Sequence, residues 1–492
     1  MPNLDYPTLL QVNTRVWLRS LQQTLGRPAT LDDIPDTALD RIRDQGFTWV
    51  WFLSVWQTGA AARQISLADP GLRAACTAIL PDLTDADICG SGFAIAGYTT
   101  NLALGGDAAL GRLRQRLRAR GLHLLLDFVP NHMAPDHPWV FRHPEYFVQG
   151  SRADVARDPQ NYFRAATHAG DQVFARGRDP FFPGWPDTVQ LNYANPAVQT
   201  AMQAELLRIA DQCDGVRCDM AMLMLPAIFQ RTWALAMADF WPTAIARVRA
   251  THPDFLFMAE VYWNLEAALL AQGFDYAYDK GLYDDLRAQA VGPVRQHLQA
   301  AVPYQAHLVR FLENHDEARA ASAFAPGVHE AAALVTYLTP GLRLFHQGQL
   351  EGFRKHISVH LCRGPQEPTD SHLQSFYASL LAVLQHPALR TGTWELLPCT
   401  PAVTGDDTWQ HVLAWVWLTA EGQPVLVVVN YAPDVSRCRV PWPYTEPTRP
   451  SGRMINLLRP PDDTHAVLEE SAAGLLLDLP PWGFGVFERR AT

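Results

Sequence analysis

The sequence predicts an α/β fold: a closed (β/α)8 TIM barrel with an inserted loop domain after the third strand and a C-terminal antiparallel β-sandwich. Short apolar runs alternate with amphipathic helical patterns up to about residue 390, which indicates βαβ units and a parallel sheet. Eight such runs favour a closed barrel over an open sheet. Beyond them, short strands separated by turn residues are typical of an antiparallel sandwich.

The eight predicted barrel strands are residues 10–12, 48–53, 123–128, 215–218, 255–259, 274–276, 308–312 and 342–345. The barrel is assigned to residues 1–131 and 194–390, and the C-terminal β domain to residues 391–492. Residues 132–193 are predicted to form the inserted loop domain, because this stretch is too long for an ordinary barrel connection and is rich in proline and aromatic residues.

Composition excludes several functional classes. A net charge of −10 without a lysine or arginine cluster argues against nucleic-acid binding. No apolar run approaches the ~18 residues of a membrane span, and no secretory leader is visible at the N-terminus. The seven cysteines form no CxxC pair, so a disulfide framework or zinc site is not expected. We therefore expect a cytoplasmic protein without a membrane partner; the oligomeric state is left open.

Four segments end an apolar run on acidic, basic or histidine side chains. In chain order they are LLLDFVPNHM with Asp127, Asn131 and His132, GVRCDM with Arg217 and Asp219, FLFMAEVYW with Glu260, and VRFLENHDEAR with His315 and Asp316. In a parallel barrel, residues at the carboxyl ends of the strands meet at one rim, where catalytic groups lie. The sequence therefore predicts one site with three carboxylates.

The predicted chemistry is cleavage of a glycosidic bond. That reaction needs one carboxylate as nucleophile or base and one carboxylic acid to protonate the leaving oxygen, while a third can stabilise the developing positive charge. Arg217 lies on the same face of its strand as Asp219, where a guanidinium favours the ionised carboxylate. Glu260 follows an apolar run, and partial desolvation raises the pKa of a carboxyl, as a general acid requires.

Each of these residues also has a structural interpretation. Asp127 with Asn131 is able to organise a turn, His315 to be a buried histidine without a catalytic role, and Arg217 with Asp219 to be a structural ion pair. The functional interpretation rests on the four segments occurring together and in this order.

The four segments, with VQLNY at residues 189–193, resemble the signature segments of the alpha-amylase family of retaining α-glycoside hydrolases and transglycosylases. The resemblance implies that Asp219 is the nucleophile, Glu260 the general acid/base and Asp316 the transition-state stabiliser. It also implies a set of residues around the attacked sugar: Arg217, His132 and His315 in its subsite, and Asp127 in support from the third strand.

The chain departs from the family pattern just after Asp219. Many starch-degrading members carry a Lys-His pair where this chain has Met222 and Leu223, which predicts a hydrophobic wall on the leaving-group side and a small acceptor or short oligosaccharide. For the aromatic ring under the attacked sugar, GFAIAGY offers Phe93 or Tyr98, and Phe93 is assigned to the site. Trp263, three residues after Glu260, is assigned to sugar stacking, with core packing as the alternative.

The resemblance implies a hydrolase of α-glucosidic bonds in oligo- or polysaccharides that works by double displacement through a covalent glycosyl-Asp219 intermediate. Two alternatives stay open: a transglycosylase with a sugar or phosphate acceptor, and a non-catalytic amylase-like binding protein. The latter proteins typically lose one of the three carboxylates, which are all present here. No cofactor or metal is required; the resemblance leaves room for a structural calcium ion near Asn131 without predicting one.

Overall fold

The computed structural model describes residues 6–443, 453–458, 467–471 and 474–490. The barrel predicted from the sequence lies almost wholly within these ranges. Residues 1–5 of the predicted barrel domain, and parts of the predicted C-terminal domain, lie outside the described residues.

Eight parallel strands form a closed barrel, as predicted. In chain order they are β1 Thr8–Asn13, β2 Trp49–Leu53, β3 His123–Phe128, β4 Gly215–Cys218, β5 Leu256–Ala259, β6 Tyr276–Tyr278, β7 Leu308–Arg310 and β8 Leu342–His346. Each strand pairs with its neighbours in sequence, and β8 closes on β1. Only β6 is displaced, by two residues, from the predicted position, because the apolar run that ends in this strand starts in the preceding turn.

Helices surround the barrel between these strands. Their bounds are Thr14–Leu25 and Asp36–Asp44 after β1, Gly106–Arg118 before β3, Pro196–Ala210 before β4, Pro226–Trp233 and Trp241–Arg249 after β4, Glu266–Ala271 after β5, Lys280–Arg287, Val291–Leu298 and Val302–Gln305 after β6, Ala320–Ala323 and Val328–Tyr337 after β7, and Ser371–Val383 and Pro387–Thr391 after β8. Among the described residues, no helix combines the length and apolar character needed to cross a bilayer.

The barrel strands are apolar because helices cover their outer face and side chains fill their inner face. All residues of β1, β4, β5, β7 and β8 are buried. The strands nevertheless contain buried polar residues, including Gln11, Asp127 and Arg217. A buried polar group needs a partner, so these side chains mark a polar network inside the barrel.

Two long excursions leave the carboxyl rim of the barrel. The one after β3 was predicted, and it contains the helices Pro138–Arg142 and Arg152–Arg157, the hairpin Tyr162–Thr167 with Gly170–Ala175, and the pair His132–Met133 with Val189–Gln190. That it forms a domain of its own stays a prediction. The excursion after β2 was not foreseen, because its periodicity matches that of barrel helices; it contains the helices Ala60–Ala68 and Pro70–Ile79 and the strands Trp56–Thr58 and Ile95–Thr100.

The C-terminal region consists of antiparallel strands, as predicted. One sheet contains Thr393–Leu397, Val412–Leu418, Pro424–Asn430, Phe484–Arg490 and Arg453–Asn456; the other contains Thr400–Pro401, Ser436–Val440, Gly474–Leu479 and Val467–Ser471. Their inner residues form one apolar cluster, and the indoles of Trp415 and Trp417 both donate to the Leu338 carbonyl at 2.8 Å. The region is therefore fixed to the helical layer of the barrel, away from the carboxyl rim of the strands.

Candidate active site

Arg217 lies at the centre of the polar network. Its side chain on β4 is only 1% exposed and reaches all three predicted carboxylates. Nη1 donates to Asp219 Oδ1 at 2.5 Å, Nη2 lies 2.7 Å from Glu260 Oε1, and the same Nη2 lies 3.8 Å from Asp316 Oδ2. The guanidinium therefore brings together carboxylates that follow β4, β5 and β7.

The turn after Asp219 fixes the second oxygen of Glu260. Met220 is in the left-handed region, with φ 43° and ψ 45°, and its N–H donates to Glu260 Oε2 at 2.5 Å. A left-handed conformation is unfavourable for a residue with a side chain, and such strain concentrates at functional sites. Here it points the backbone N–H of the residue after Asp219 at the neighbouring carboxyl group.

The surroundings of the Glu260 carboxyl group favour its protonated form. Its side chain is 4% exposed, and burial raises its pKa to about 8, helped by Asp219 and Asp316 and opposed by Arg217. The Tyr262 hydroxyl donates to Glu260 Oε1 at 3.0 Å. Both oxygens therefore have protein donors, which hold the carboxyl group in a fixed orientation.

Asp316 faces the opening of the pocket, and its side chain is 41% exposed. Its neighbour His315 is buried, with Nε2 3.2 Å from Asp316 Oδ2. The Gln11 amide approaches His315 Nδ1 at 2.7 Å, and burial with the nearby Arg217 charge holds the pKa of His315 well below its usual value. The ring is therefore neutral, and a Gln11 donor at Nδ1 places its proton on Nε2, toward the pocket.

Phe93 and His132 complete the wall around Arg217. The Phe93 ring stacks on His315 at 5.4 Å, and the Arg217 guanidinium lies 5.1 Å from its centroid. Tyr98, the other aromatic candidate, is buried with its hydroxyl bonded to the backbone of Val129. His132 is buried against Trp185, and desolvation lowers its pKa.

Asp127 lies behind the pocket. Its two carboxylate oxygens accept from Trp51 Nε1 and from the Ser54 N–H, both at 3.1 Å. The Arg217 guanidinium lies over the Trp51 ring, 5.4 Å from its centroid. Asp127 thus holds Trp51, and Trp51 contacts Arg217. Both carboxylate oxygens of Asp127 accept hydrogen bonds from the protein.

The hydrophobic wall expected after Asp219 stays a prediction. Met222 and Leu223 lie in the short helical turn Ala221–Met224 and are buried in the core. The backbone reverses in a left-handed conformation at Met220, which is half-buried and donates its N–H to Glu260 Oε2. Sequence spacing alone does not reveal such a reversal.

Trp263 is not a core residue. It is 36% exposed and makes an edge-to-face contact with Phe181 of the inserted segment, with centroids 4.9 Å apart. Phe182 beside it is also exposed. These three rings form an aromatic surface on the Glu260 side of the site, and apolar sugar faces stack on such rings.

A cavity of about 220 Å³ adjoins the site at His315. It lies between the helix Thr14–Leu25 and the loop after β8, and its lining includes His315, Asn13 and Gln347 but none of the three carboxylates. His315 thus belongs both to this cavity and to the group of residues around Arg217.

Three supporting residues were missed or misjudged at the sequence level. Gln11 carried a usable signal, since it is a lone amide in the apolar run TLLQVN of a barrel strand. Tyr262 was visible only as a rim aromatic, and its bond to Glu260 requires the turn after β5. Trp51 gave no signal, because a tryptophan in a buried strand is ordinarily core.

The comparison with known families agrees with this geometry. Residues 37–395 match the model of the alpha-amylase catalytic domain, which is well over half of the chain. This chain belongs to the alpha-amylase family. Its fold class is therefore that of the family, as the four segments predicted.

The chain is similar to several members of the family. An alpha-amylase, MalA, from Haloarcula japonica is 25% identical over 69% of this chain and 47% of its own length. An alpha-1,4-glucan:maltose-1-phosphate maltosyltransferase from Burkholderia pseudomallei is 29% identical over 57% of this chain and 22% of its own length. The chain thus spans half or less of these relatives.

A solved structure shows the same fold over nearly the whole chain. The crystal structure of an alpha-amylase from Lactobacillus plantarum superimposes with a TM-score of 0.68 at 20% identity and covers 99% of both chains. At this identity the similarity establishes the fold, and the chemistry is argued from the site.

Proposed function

We propose that this chain is a retaining α-glycoside hydrolase that cleaves α-glucosidic bonds in oligo- or polysaccharides. One observation carries the proposal: a single buried guanidinium, Arg217, contacts both Asp219 and Glu260 and lies close to Asp316. Carboxyl groups that share one guanidinium lie close together, and the shorter carboxyl separation belongs to retaining enzymes, in which one carboxylate attacks the sugar directly.

In the proposed first step, Asp219 attacks the anomeric carbon, while Glu260 gives its proton to the leaving glycosidic oxygen. Glu260 is mostly protonated at neutral pH because burial raises its pKa to about 8. The bond between the sugar and the leaving group breaks, and a covalent glycosyl ester of Asp219 forms. The pair Arg217 and Asp219 suits this role, since the guanidinium favours the ionised nucleophile.

In the second step, Glu260, now a carboxylate, takes a proton from water, and the resulting hydroxide oxygen attacks the anomeric carbon and releases Asp219. Asp316 stabilises the positive charge that develops on the sugar in both steps. The neutral imidazoles of His132 and His315 donate to sugar hydroxyls without adding a repelling positive charge.

The proposed substrate is an α-linked glucose oligomer or glucan, since relatives are named as acting on such sugars. The cavity beside His315 provides polar side chains, among them Asn13 and Gln347, for a further sugar unit. We also propose a cytoplasmic location; all seven cysteines, each within the described ranges, are unpaired, which is usual in a reducing compartment.

Transglycosylation is the second candidate, and the exposed Trp263 and Phe181 favour it. Aromatic rings on the Glu260 side offer a binding surface to a sugar acceptor that would replace water in the second step. Incubation with an α-1,4-oligosaccharide and separation of the products by size distinguishes the two. Longer or rearranged chains identify a transglycosylase; shorter chains with matching reducing ends identify a hydrolase.

The catalytic assignment is tested with Asp219→Asn and Glu260→Gln on maltooligosaccharides, with Glu421→Gln in an exposed turn as the matched control. We expect the nucleophile variant to lose at least ~4 kcal/mol of transition-state stabilisation, about a thousandfold in rate, and the control to keep full activity. Binding of oligosaccharide by the wild-type protein without turnover would instead favour a binding protein. Unchanged turnover in both variants would refute the assignment of Asp219 and Glu260 as the catalytic pair.

A further inference from the structure

Gln190 has an unusual set of neighbours. Its side chain is fully buried, and its amide nitrogen Nε2 lies within hydrogen-bond distance of three oxygens. These are the backbone oxygen of Asn131 at 3.0 Å, the side-chain Oδ1 of Asn131 at 3.0 Å, and the backbone oxygen of Leu191 at 3.1 Å. Three acceptors converging on one point form an electronegative nest of the kind that cations occupy.

This nest lies where the family resemblance leaves room for a calcium ion, at Asn131. The residues present do not fit one. Calcium binds oxygens at 2.3–2.6 Å and prefers sites with several carboxylates. Here the three oxygens are neutral, they surround a nitrogen at about 3 Å, and the described part of the chain contains no group of three acidic, histidine or cysteine side chains suited to a metal.

We propose that the Gln190 amide takes the place of a structural divalent cation, so that the fold and the pocket need no metal. The amide nitrogen carries two N–H donors and partial positive charge, and it supplies these to the same oxygens that an ion would bind. These contacts hold the strand Val189–Gln190 against Asn131, in the segment that follows β3. Gln190 also pairs in register with His132, the next residue.

The orientation of the Gln190 amide supports this role. Its oxygen, Oε1, is buried and has no hydrogen-bond partner among the described residues. This orientation of the amide therefore carries the free-energy cost of one unsatisfied buried acceptor. Turning it over would bring Oε1 against three oxygens, which repel it. A bound cation would reverse that preference, because Oε1 would then be a ligand. The nitrogen-inward orientation is the one that gives these three oxygens a donor.

The contact also bears on the catalytic pocket. Because Gln190 binds Asn131 Oδ1, the Asn131 amide nitrogen is directed toward His132 Nδ1, 3.3 Å away. A donor at Nδ1 leaves the proton of neutral His132 on Nε2, where it is available to a sugar hydroxyl. The Gln190 amide therefore positions His132 through Asn131.

The test uses the whole purified protein, and its readouts are metal content and melting temperature, which do not depend on the proposed activity. We expect no stoichiometric calcium by elemental analysis. We also expect the melting temperature to change by less than about 1 °C between EDTA and millimolar CaCl2, since a ligand stabilises only a fold that binds it. Calcium retained at one equivalent, or a saturable rise in melting temperature on adding CaCl2, would overturn the proposal.

Two variants sharpen the test. Gln190→Glu places a carboxylate oxygen among the three acceptors; we expect it to melt lower in EDTA and to gain at least ~2 °C from calcium, because the nest has become an all-oxygen site. Gln190→Met removes the donor without adding charge and should melt lower with no response to calcium. If Gln190→Glu folds and ignores calcium, the nest is not a cation position and the proposal fails. If Gln190→Glu does not fold, the wild-type and Gln190→Met measurements decide.

Discussion

Replacing Tyr262 by phenylalanine is expected to move the basic limb of the pH–rate profile to higher pH. The Tyr262 hydroxyl donates to Glu260 Oε1 at 3.0 Å. A donor stabilises the ionised carboxyl more than the neutral one, so its loss raises the pKa of Glu260. Glu260 must be protonated to act as an acid, and the limb reports where that proton is lost.

The magnitude follows from the contact. A hydrogen bond to an ionised group contributes about 1.5–3 kcal/mol, and because Tyr262 is only half-buried we take the lower end. At 1.36 kcal/mol for each unit, this is a shift of about one pKa unit. Since burial already raises the pKa of Glu260 to about 8, the limb of Tyr262→Phe should lie near 9.

The same bond should affect rate. As Glu260 gives up its proton it becomes a carboxylate, and the Tyr262 donor stabilises that developing charge. Its loss should lower kcat/KM at the optimum by up to about tenfold. The assay is kcat/KM on 4-nitrophenyl α-glucoside between pH 4 and 10 at constant ionic strength.

The matched control is Tyr431→Phe, which removes a tyrosine hydroxyl bonded to the Leu286 carbonyl at 2.7 Å, far from the carboxylates. It should leave the limb in place while lowering the melting temperature. If the limb of Tyr262→Phe stays within about 0.2 units of wild type, Tyr262 does not control the acid, and the reasoning from this contact is refuted.

Three further predictions concern other contacts. Asp127→Asn should lower the free energy of unfolding by about 1–3 kcal/mol, measured by urea titration, because one of its two buried donors loses its acceptor. Gln11→Leu should lower kcat about fivefold, since a hydrogen bond to the His315 ring of about 1 kcal/mol is lost with its control of the tautomer. Trp263→Ala should raise KM for maltoheptaose several-fold more than KM for an aryl α-glucoside, because the longer substrate gains its binding from stacking, worth about 1 kcal/mol.

Each of these has a contrary outcome. Unchanged urea stability in Asp127→Asn would mean that its two contacts contribute little. A Gln11→Leu enzyme with wild-type kcat would show that His315 keeps its tautomer without the amide. Equal changes in KM for both substrates would remove Trp263 from the binding surface and leave it as part of the rim.

The barrel was predictable because its strands carry their own signal. A parallel strand covered on both faces must be almost continuously apolar, and a catalytic residue must follow it at the rim. Asp219, Glu260 and Asp316 stand out for that reason, each close behind such a run. The excursion after β2 was harder, since its helices have the same periodicity as barrel helices.

The residues that contact the predicted site residues were not predictable in the same way. Met222 and Leu223 are buried in the turn that follows Met220, and a left-handed residue other than glycine leaves no trace in composition. Gln11 and Tyr262 contact His315 and Glu260 across 304 and two residues of sequence, respectively. The first contact forms only when β1 and β7 come together in the closed barrel, and the second depends on the turn after β5.

Residue types and their positions at strand ends were enough to propose the reaction class, because glycosidic chemistry requires particular residue types and a barrel presents them at the carboxyl ends of its strands. The tertiary structure decided how those groups are tuned. It placed Arg217 between the carboxylates, buried Glu260 enough to raise its pKa, and set an amide rather than an acidic side chain against Asn131. Charge, burial and hydrogen-bond geometry depend on what folds next to a residue, and that is fixed only in three dimensions.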